Sequence, residues 1–191
     1  MANRKVAVIV GSLAKNSVSG RVASALMSMQ TPGIDWQRVD IAAMPLYNYD
    51  LETATPPQSW TDFRNAIRAA DGVLFVTPEY NRGPPGAMKN AIDVGSRPWG
   101  KAVWNGKPAG VVSTSPSALG GYGANHILRQ NISYFTMPVL LQPEMYVGGA
   151  DKAVGADGKP AEHVREYWGK YLQALAEWVD SHAQGAHAKA A

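Results

Sequence analysis

Nine residues starting at Gly11, GSLAKNSVS, carry three hydroxyls, an amide and an ammonium group. They lie between an apolar run and the start of an amphipathic stretch. Ser12, Ser17 and Ser19 can each donate to an anionic oxygen, and so can the Asn16 amide. Lys15 adds a point charge. Well-made hydrogen bonds to a charged group contribute about 1.5–3 kcal/mol each, so a few of them would hold a terminal phosphate. A loop that leads into a helix also offers unpaired backbone N–H groups and the positive end of the helix dipole. Ser17 equally suits a plain helix cap, and the two roles are compatible. Three common phosphate loops fail. Leu13 and Asn16 stand where G-x-G-x-x-G needs its second and third glycines. Asn16 and Ser17 stand where G-x-x-x-x-G-K-[ST] needs glycine and lysine. The phosphatase-type loop needs a cysteine, and the chain has none.

Two further loops follow apolar runs. In TPEYNRGPPG (77–86), glycines and prolines stiffen the backbone around Tyr80, Asn81 and Arg82. Such a loop could present main-chain groups to the edge of a flat heterocycle, or it could be a simple turn with an exposed tyrosine. In STSPSALGGYG (113–123), hydroxyls and glycines permit close backbone approach, or simply make a flexible loop.

The elements that must position these loops are legible. VAVIV (6–10), GVLFV (72–76), AGVVS (109–113) and VLL (139–141) are short, apolar and not alternating. Strands buried on both faces of a parallel sheet have this character. IDWQRVDI (34–41) is more polar and suits an edge strand. Helical spacing recurs at Val22, Ala25, Leu26 and Met29; at Trp60, Phe63, Ile67 and Ala70; at Met88, Ala91, Ile92 and Gly95; and at Ile127, Leu128, Ile132 and Phe135. The third of these stretches opens on Pro84 and Pro85, which are expected in its first turn. Within it, Lys89 and Asp93 are spaced for an i,i+4 ion pair. In the last stretch Val164, Tyr167, Trp168, Tyr171, Leu172, Leu175, Trp178 and Val179 form one stripe, and its aromatic residues are expected to be core. Strand and helix alternate five times, which predicts an α/β doubly wound sheet. In the order 2-1-3-4-5, the three loops share the carboxyl edge, where such sheets bind ligands.

The chain has 191 residues, 46% of them hydrophobic, which suits one globular domain over 1–191 with a flexible tail near 184–191. The absence of cysteine excludes disulfides, thiolate nucleophiles and thiolate metal sites. The four histidines show no metal-ligand spacing, so no metal is expected. The net charge of +3 is scattered rather than gathered in a stripe, which argues against nucleic acid. The first apolar run is too short for a signal peptide or a membrane span, so a cytoplasmic protein with no membrane association is expected.

The segments GSLAKNSVSGRVASAL (11–26), ADGVLFVTPEYNRGPPGAMKNAIDVGSRPWG (70–100), GKPAGVVSTSPSALGG (106–121) and ILRQ (127–130) carry a family resemblance. QPEMYVGG (142–149) and the last helix fall in matching places. The sequence resembles the NADPH-dependent FMN reductases of flavodoxin-like fold, and among them the bacterial quinone, chromate and azo-compound reductases. The resemblance implies FMN as cofactor and NADPH or NADH as donor. It implies ping-pong hydride transfer to quinones or similar small acceptors, with no catalytic side chain. It places Ser12, Ser17 and Ser19 on the FMN phosphate, with Lys15 and Asn16 in the same loop. It sets Pro78, Glu79, Tyr80 and Asn81 along the ring and ribityl chain, and Ser115, Ser117, Gly120 and Gly121 on the ring's other side. Arg82 could attract an anionic acceptor or the NADPH phosphate, or it could make a surface or subunit contact. A homodimer or homotetramer is implied, with FMN near the subunit interface.

One departure stands out. The family pattern G-S-x-R-x-x-S has Ala14 here in place of arginine, which predicts weaker FMN retention. Two other functions fit the same fold. A flavodoxin-like electron carrier would lack NAD(P)H activity, but such carriers are typically acidic. A flavin-free regulatory protein is the other. An organoarsenical-oxidising relative would carry a longer N-terminal extension.

Overall fold

The computed structural model describes residues 3–188, with side chains described as far as residue 183. The tail expected at 184–191 therefore lies outside the described side chains, and residues 189–191 lie outside the described backbone.

Five strands, β1 (Arg4–Val10), β2 (Ile34–Val39), β3 (Gly72–Pro78), β4 (Ala109–Thr114) and β5 (Met145–Val147), form one sheet in the order β2-β1-β3-β4-β5. Every neighbouring pair is parallel. The intervening helices are α1 (Val18–Ser28), α2 (Gln58–Arg68), α3 (Gly86–Gly95) and α4 (Tyr122–Ile132), and α5 (Glu162–Ala188) follows β5. The strand–helix alternation predicts a doubly wound sheet, and this order is the flavodoxin-like one that the family resemblance implies.

The non-alternating strands are covered on both faces. Val6, Val8 and Val10 of β1 pack with Val22 and Leu26 of α1 and with Trp168, Leu172 and Leu175 of α5. Ala7 and Ile9 point the other way, onto Trp60, Phe63 and Ile67 of α2 and Met88 and Ile92 of α3. Leu128 and Ile132 of α4 complete that second layer. Each large apolar side chain so buried contributes roughly 1.5–3 kcal/mol relative to exposure. The stripe of α5 is core at Trp168, Tyr171, Leu172, Leu175 and Val179, whereas Tyr167 is 47% exposed. Trp104 is fully buried, donates from Nε1 to the Ile92 carbonyl at 2.9 Å, and occupies the room left by the missing side chain of Gly95.

One ion pair lies inside this architecture. Arg64 of α2 reaches Glu52 through two contacts, Nη1–Oε1 at 3.0 Å and Nη2–Oε2 at 2.6 Å. Its Nε donates to the Val94 carbonyl of α3 at 2.9 Å. Both partners are nearly excluded from solvent, at 4% and 9% exposure.

Three expectations need correction. The run at 139–141 is not a ladder strand. Val139 forms a single parallel bridge to Ala109, and the fifth strand is Met145–Val147 instead. Pro143, which has no N–H to donate, interrupts the chain between the two. The Leu140 carbonyl is taken by the Arg129 guanidinium at 3.0 Å. Secondly, Pro84 and Pro85 precede α3 rather than opening its first turn, because Pro85 is the capping residue. Thirdly, Ile127 is 39% exposed and Phe135 lies past the end of α4, whose buried face is Ala124, Asn125, Leu128 and Ile132. The Lys89–Asp93 pair is present on the surface, with Nζ–Oδ1 at 2.6 Å. Among the described residues, no helix is long and apolar enough to cross a membrane.

Candidate functional site

The first loop leaves β1 at Gly11, whose N–H is bonded to the Val76 carbonyl at 2.9 Å. A side chain at Gly11 would stand 3.4 Å from Pro78 and from Met88, so this loop lies directly against the end of β3 and against α3. Ser17 holds extended dihedrals and accepts the Gly20 N–H at 3.0 Å, which starts α1. That bond uses an acceptor lone pair, and the hydroxyl proton of Ser17 stays free to donate. Ser12 and Ser19 are buried, at 8% and 1% exposure. The Ser19 hydroxyl has no hydrogen-bond partner. Leaving a buried hydroxyl unmatched costs about 1–3 kcal/mol. Lys15 and Asn16 stand on the solvent side of the loop.

Two clefts flank this loop. One of about 380 Å³ is lined by Ser12, Ala14, Lys15, Arg38 and Asp40 among others. The other, of about 490 Å³, is lined by Lys15, Asn16, Gly20, Arg21 and Arg38 together with Asp151. Arg38 belongs to both, and the sequence pattern did not single it out. The available signal was its place near the carboxyl end of the strand beside β1, where the register sets it opposite Val8.

The second loop is a two-residue hairpin. Tyr80 and Gly83 exchange hydrogen bonds of 2.9 and 3.1 Å around Asn81 and Arg82. Both central residues have positive φ, at 51° and 69°, the signature of a mirror-image turn. Asparagine tolerates this conformation, but arginine is held there at some cost. Glu79 holds the turn in place. Its Oε2 accepts the Ala124 N–H at 3.1 Å in the first turn of α4, and its Oε1 lies 3.5 Å from Arg82 Nη1. A carboxylate at a helix N-terminus is favoured by the dipole. Gly123 makes room for this contact, since a side chain there would meet the Arg82 carbonyl at 2.9 Å. The Glu79 carboxylate thereby ties the hairpin to α4. Pro78 is half-buried, Tyr80 is 53% exposed, and Asn81 and Arg82 project into solvent.

The third loop is tied to the end of β5. Ser115 N–H donates to the Val147 carbonyl at 3.0 Å, and the Ser115 and Ser117 hydroxyls lie 2.9 Å apart. Gly120 and Gly121 both have positive φ, at 59° and 76°, and Gly121 caps α4. A side chain at Gly120 would stand 2.7 Å from the Tyr146 carbonyl carbon, so only glycine lets the loop close on β5. The Ser113 hydroxyl locks the same peptide by donating to the Gly120 carbonyl at 2.7 Å.

Beside this loop lies an aromatic group absent from the sequence reading. Tyr122 and His126 have ring centroids 4.1 Å apart, and His126 Nε2 lies 3.0 Å from the Tyr146 hydroxyl. Burial, then the neighbouring Glu144 carboxylate, push the Tyr146 hydroxyl well above its ordinary range and keep it protonated.

The three loops are therefore contiguous. The first meets the second at Gly11 and Pro78, and the second meets the third at Arg82 and Gly123. Together they offer buried hydroxyls, a helix N-terminus, a stiff hairpin and a glycine-lined wall along one sheet edge. The donor set suits a phosphate joined to a flat ring. Among the described residues, no cluster of three or more acidic, histidine or cysteine side chains could hold a metal ion.

The profile of the NADPH-dependent FMN reductase family matches residues 4–152. A quinone reductase of Pseudomonas putida is 48% identical over 174 residues, covering 91% of this chain and 94% of that protein. A 2-hydroxy-1,4-benzoquinone reductase of a Burkholderia species is 40% identical over 176 residues, covering 92% and 96% respectively. Among solved structures, FerB, a flavoenzyme NAD(P)H:(acceptor) oxidoreductase from Paracoccus denitrificans, superposes with a TM-score of 0.88 at 34% identity. That superposition covers 94% of this chain and 98% of FerB.

Proposed function

The chain belongs to the NADPH-dependent FMN reductase family, and from that premise we propose that its three loops form one FMN site at which NAD(P)H and a quinone-type acceptor react in turn. Bound FMN supplies the centre that accepts a hydride from NAD(P)H and passes it to the acceptor.

The residues of the chain do the rest. Ser12, Ser17 and Ser19, with Lys15 and Asn16, hold the phosphate. The backbone of residues 78–81 lies along the ring and ribityl chain, with Tyr80 at its open side. Ser115, Ser117, Gly120 and Gly121 form the opposite wall. Glu79 acts through α4 as a positioning residue rather than as a flavin contact. The observation that carries this reading is the first loop, where Ser12, Lys15 and Arg38 line one cleft and Ser17 opens α1 beside them. Arg82, exposed at the tip of a rigid turn, steers an anionic acceptor or the NADPH phosphate.

Anaerobic spectroscopy of the FMN-loaded protein tests the reading. NADPH should bleach the visible flavin band, and a benzoquinone should restore it. In Arg82→Gln the same reduction should require more NADPH, with the limiting rate unchanged. A band that stays put with FMN demonstrably bound would identify an electron carrier instead.

The acceptor range extends, in this proposal, to azo compounds, chromate and free flavin, because the hairpin and serine loop leave the site open. We also assign the chain a single FMN-binding domain over 1–191, a cytoplasmic setting, and a homodimer or homotetramer with the Glu79 loop near the interface. Light scattering at micromolar concentration should give the mass of at least two chains, and a monomer would refute the assembly.

A further inference from the structure

We infer that Arg38 of β2 supplies the guanidinium that the phosphate loop lacks at Ala14, and that Arg38 is what lets this chain choose FMN over riboflavin. The inference rests on the proposed FMN site.

Four observations meet at this residue. Lys15 is the only cation in the loop itself, and the Ala14 side chain offers no polar group. Arg38 and Lys15 are the two cations common to both clefts flanking the loop, and Ser12 lines one of those clefts with them. The register of β2 on β1 pairs Arg38 with Val8, whose side chain packs on the α1 face. Arg38 therefore emerges on the side where α1 begins. Its Nη2 lies 3.6 Å from where a side chain at Gly20 would start, alongside the first turn of α1. That turn also holds the buried Ser19 hydroxyl with no partner.

The guanidinium is uncommitted. No hydrogen bond or ion pair engages Arg38 among the described residues. The carboxylates lining the clefts are Asp40 and Asp151, and Asp40 is itself occupied, accepting the Ala42 N–H at 2.9 Å. A planar fork with several donors matches a phosphate dianion, whereas the neutral end of riboflavin gives it nothing to bind. A strand-borne arginine thus does from the side what a loop arginine would do from above.

The test is flavin binding by the flavin-free protein, read as fluorescence quenching during titration with FMN and, separately, with riboflavin. Wild type should prefer FMN. Arg38→Ala should lower FMN affinity about tenfold or more and leave riboflavin unchanged, while Arg21→Ala, whose cation lines only one cleft, should stay within about twofold of wild type. Adding Ala14→Arg to Arg38→Ala should restore the preference for FMN. Equal losses for FMN and riboflavin, no loss at all, or an equal loss in Arg21→Ala would overturn the role of Arg38. Wild type that binds riboflavin as tightly as FMN would overturn the phosphate loop itself, and Arg38 with it.

Discussion

Ser19→Ala is expected to stabilise the flavin-free protein and, at the same time, to weaken its hold on FMN. The two effects have one cause. Ser19 is 1% exposed, it sits in the first turn of α1, and its hydroxyl has no partner within the protein. Folding removes it from water without compensation. Deleting it should raise the stability of the flavin-free protein by about 1 kcal/mol, with alanine's better helix propensity adding a few tenths. With FMN present the sign reverses, because a donor to a charged group is lost and affinity should fall about tenfold or more. Riboflavin, which lacks the phosphate, should bind the variant as it binds wild type. Urea unfolding without flavin gives the first number, and titration gives the second. The thermal shift on adding FMN should also be smaller in the variant. A flavin-free variant less stable than wild type, or one that keeps full FMN affinity, would mean that the hydroxyl faces something other than the ligand.

Arg64→Ala should destabilise the fold by about 3–5 kcal/mol, the usual consequence of leaving one partner of a buried ion pair without its counter-charge. Arg64 is 4% exposed and Glu52 9%, so water cannot replace the lost contacts. The Val94 carbonyl of α3 loses the Arg64 donor at 2.9 Å in the same step and keeps the Arg97 N–H at 3.3 Å. The guanidinium also lies 5.6 Å from the Trp60 ring centre, and that contact disappears too. Glu52→Leu combined with Arg64→Met should recover most of the loss, because an apolar pair of similar volume carries no desolvation penalty. A urea midpoint for Arg64→Ala that scarcely moves would show that the pair is solvated in solution.

Much of this molecule could be read from residue order. β1, β3 and β4 followed from non-alternating apolar runs, because burial on both faces leaves that imprint; β2 followed from a more polar run suited to an edge, the doubly wound sheet from strand–helix alternation, and the strand order from the family resemblance. The fifth strand did not. Residues 139–141 look more strand-like than 145–147, yet the sheet uses the latter. Proline placement and a carbonyl captured by Arg129 decided the matter, and that contact is a tertiary one. The site shows the same division. Hydroxyls and glycines on neighbouring loops were visible as local composition. The commitment of Glu79 to α4, the partnerless state of Ser19 and the reach of Arg38 toward the loop were not. Each depends on which segments become neighbours across the sheet, and pattern along the chain carries no record of it. The Tyr122–His126–Tyr146 group is of the same kind, since its rings come from a helix and a strand about twenty residues apart.

The sheet closes on its two sides in ways that discourage extension. On one flank β5 is only three residues long, and Gly148 and Gly149 turn the chain away immediately after it. On the other, β2 carries Asp35 and Arg38 along its exposed length. A foreign strand approaching either flank would find too few free peptide groups or would have to bury charge against them. The consequence concerns crowding: at high concentration, or in a partly opened state, copies of this chain are poorly equipped to zip together edge to edge into fibrils. Association has to proceed through helix faces and loops, where side-chain fit rather than backbone pairing sets the partner and the stoichiometry.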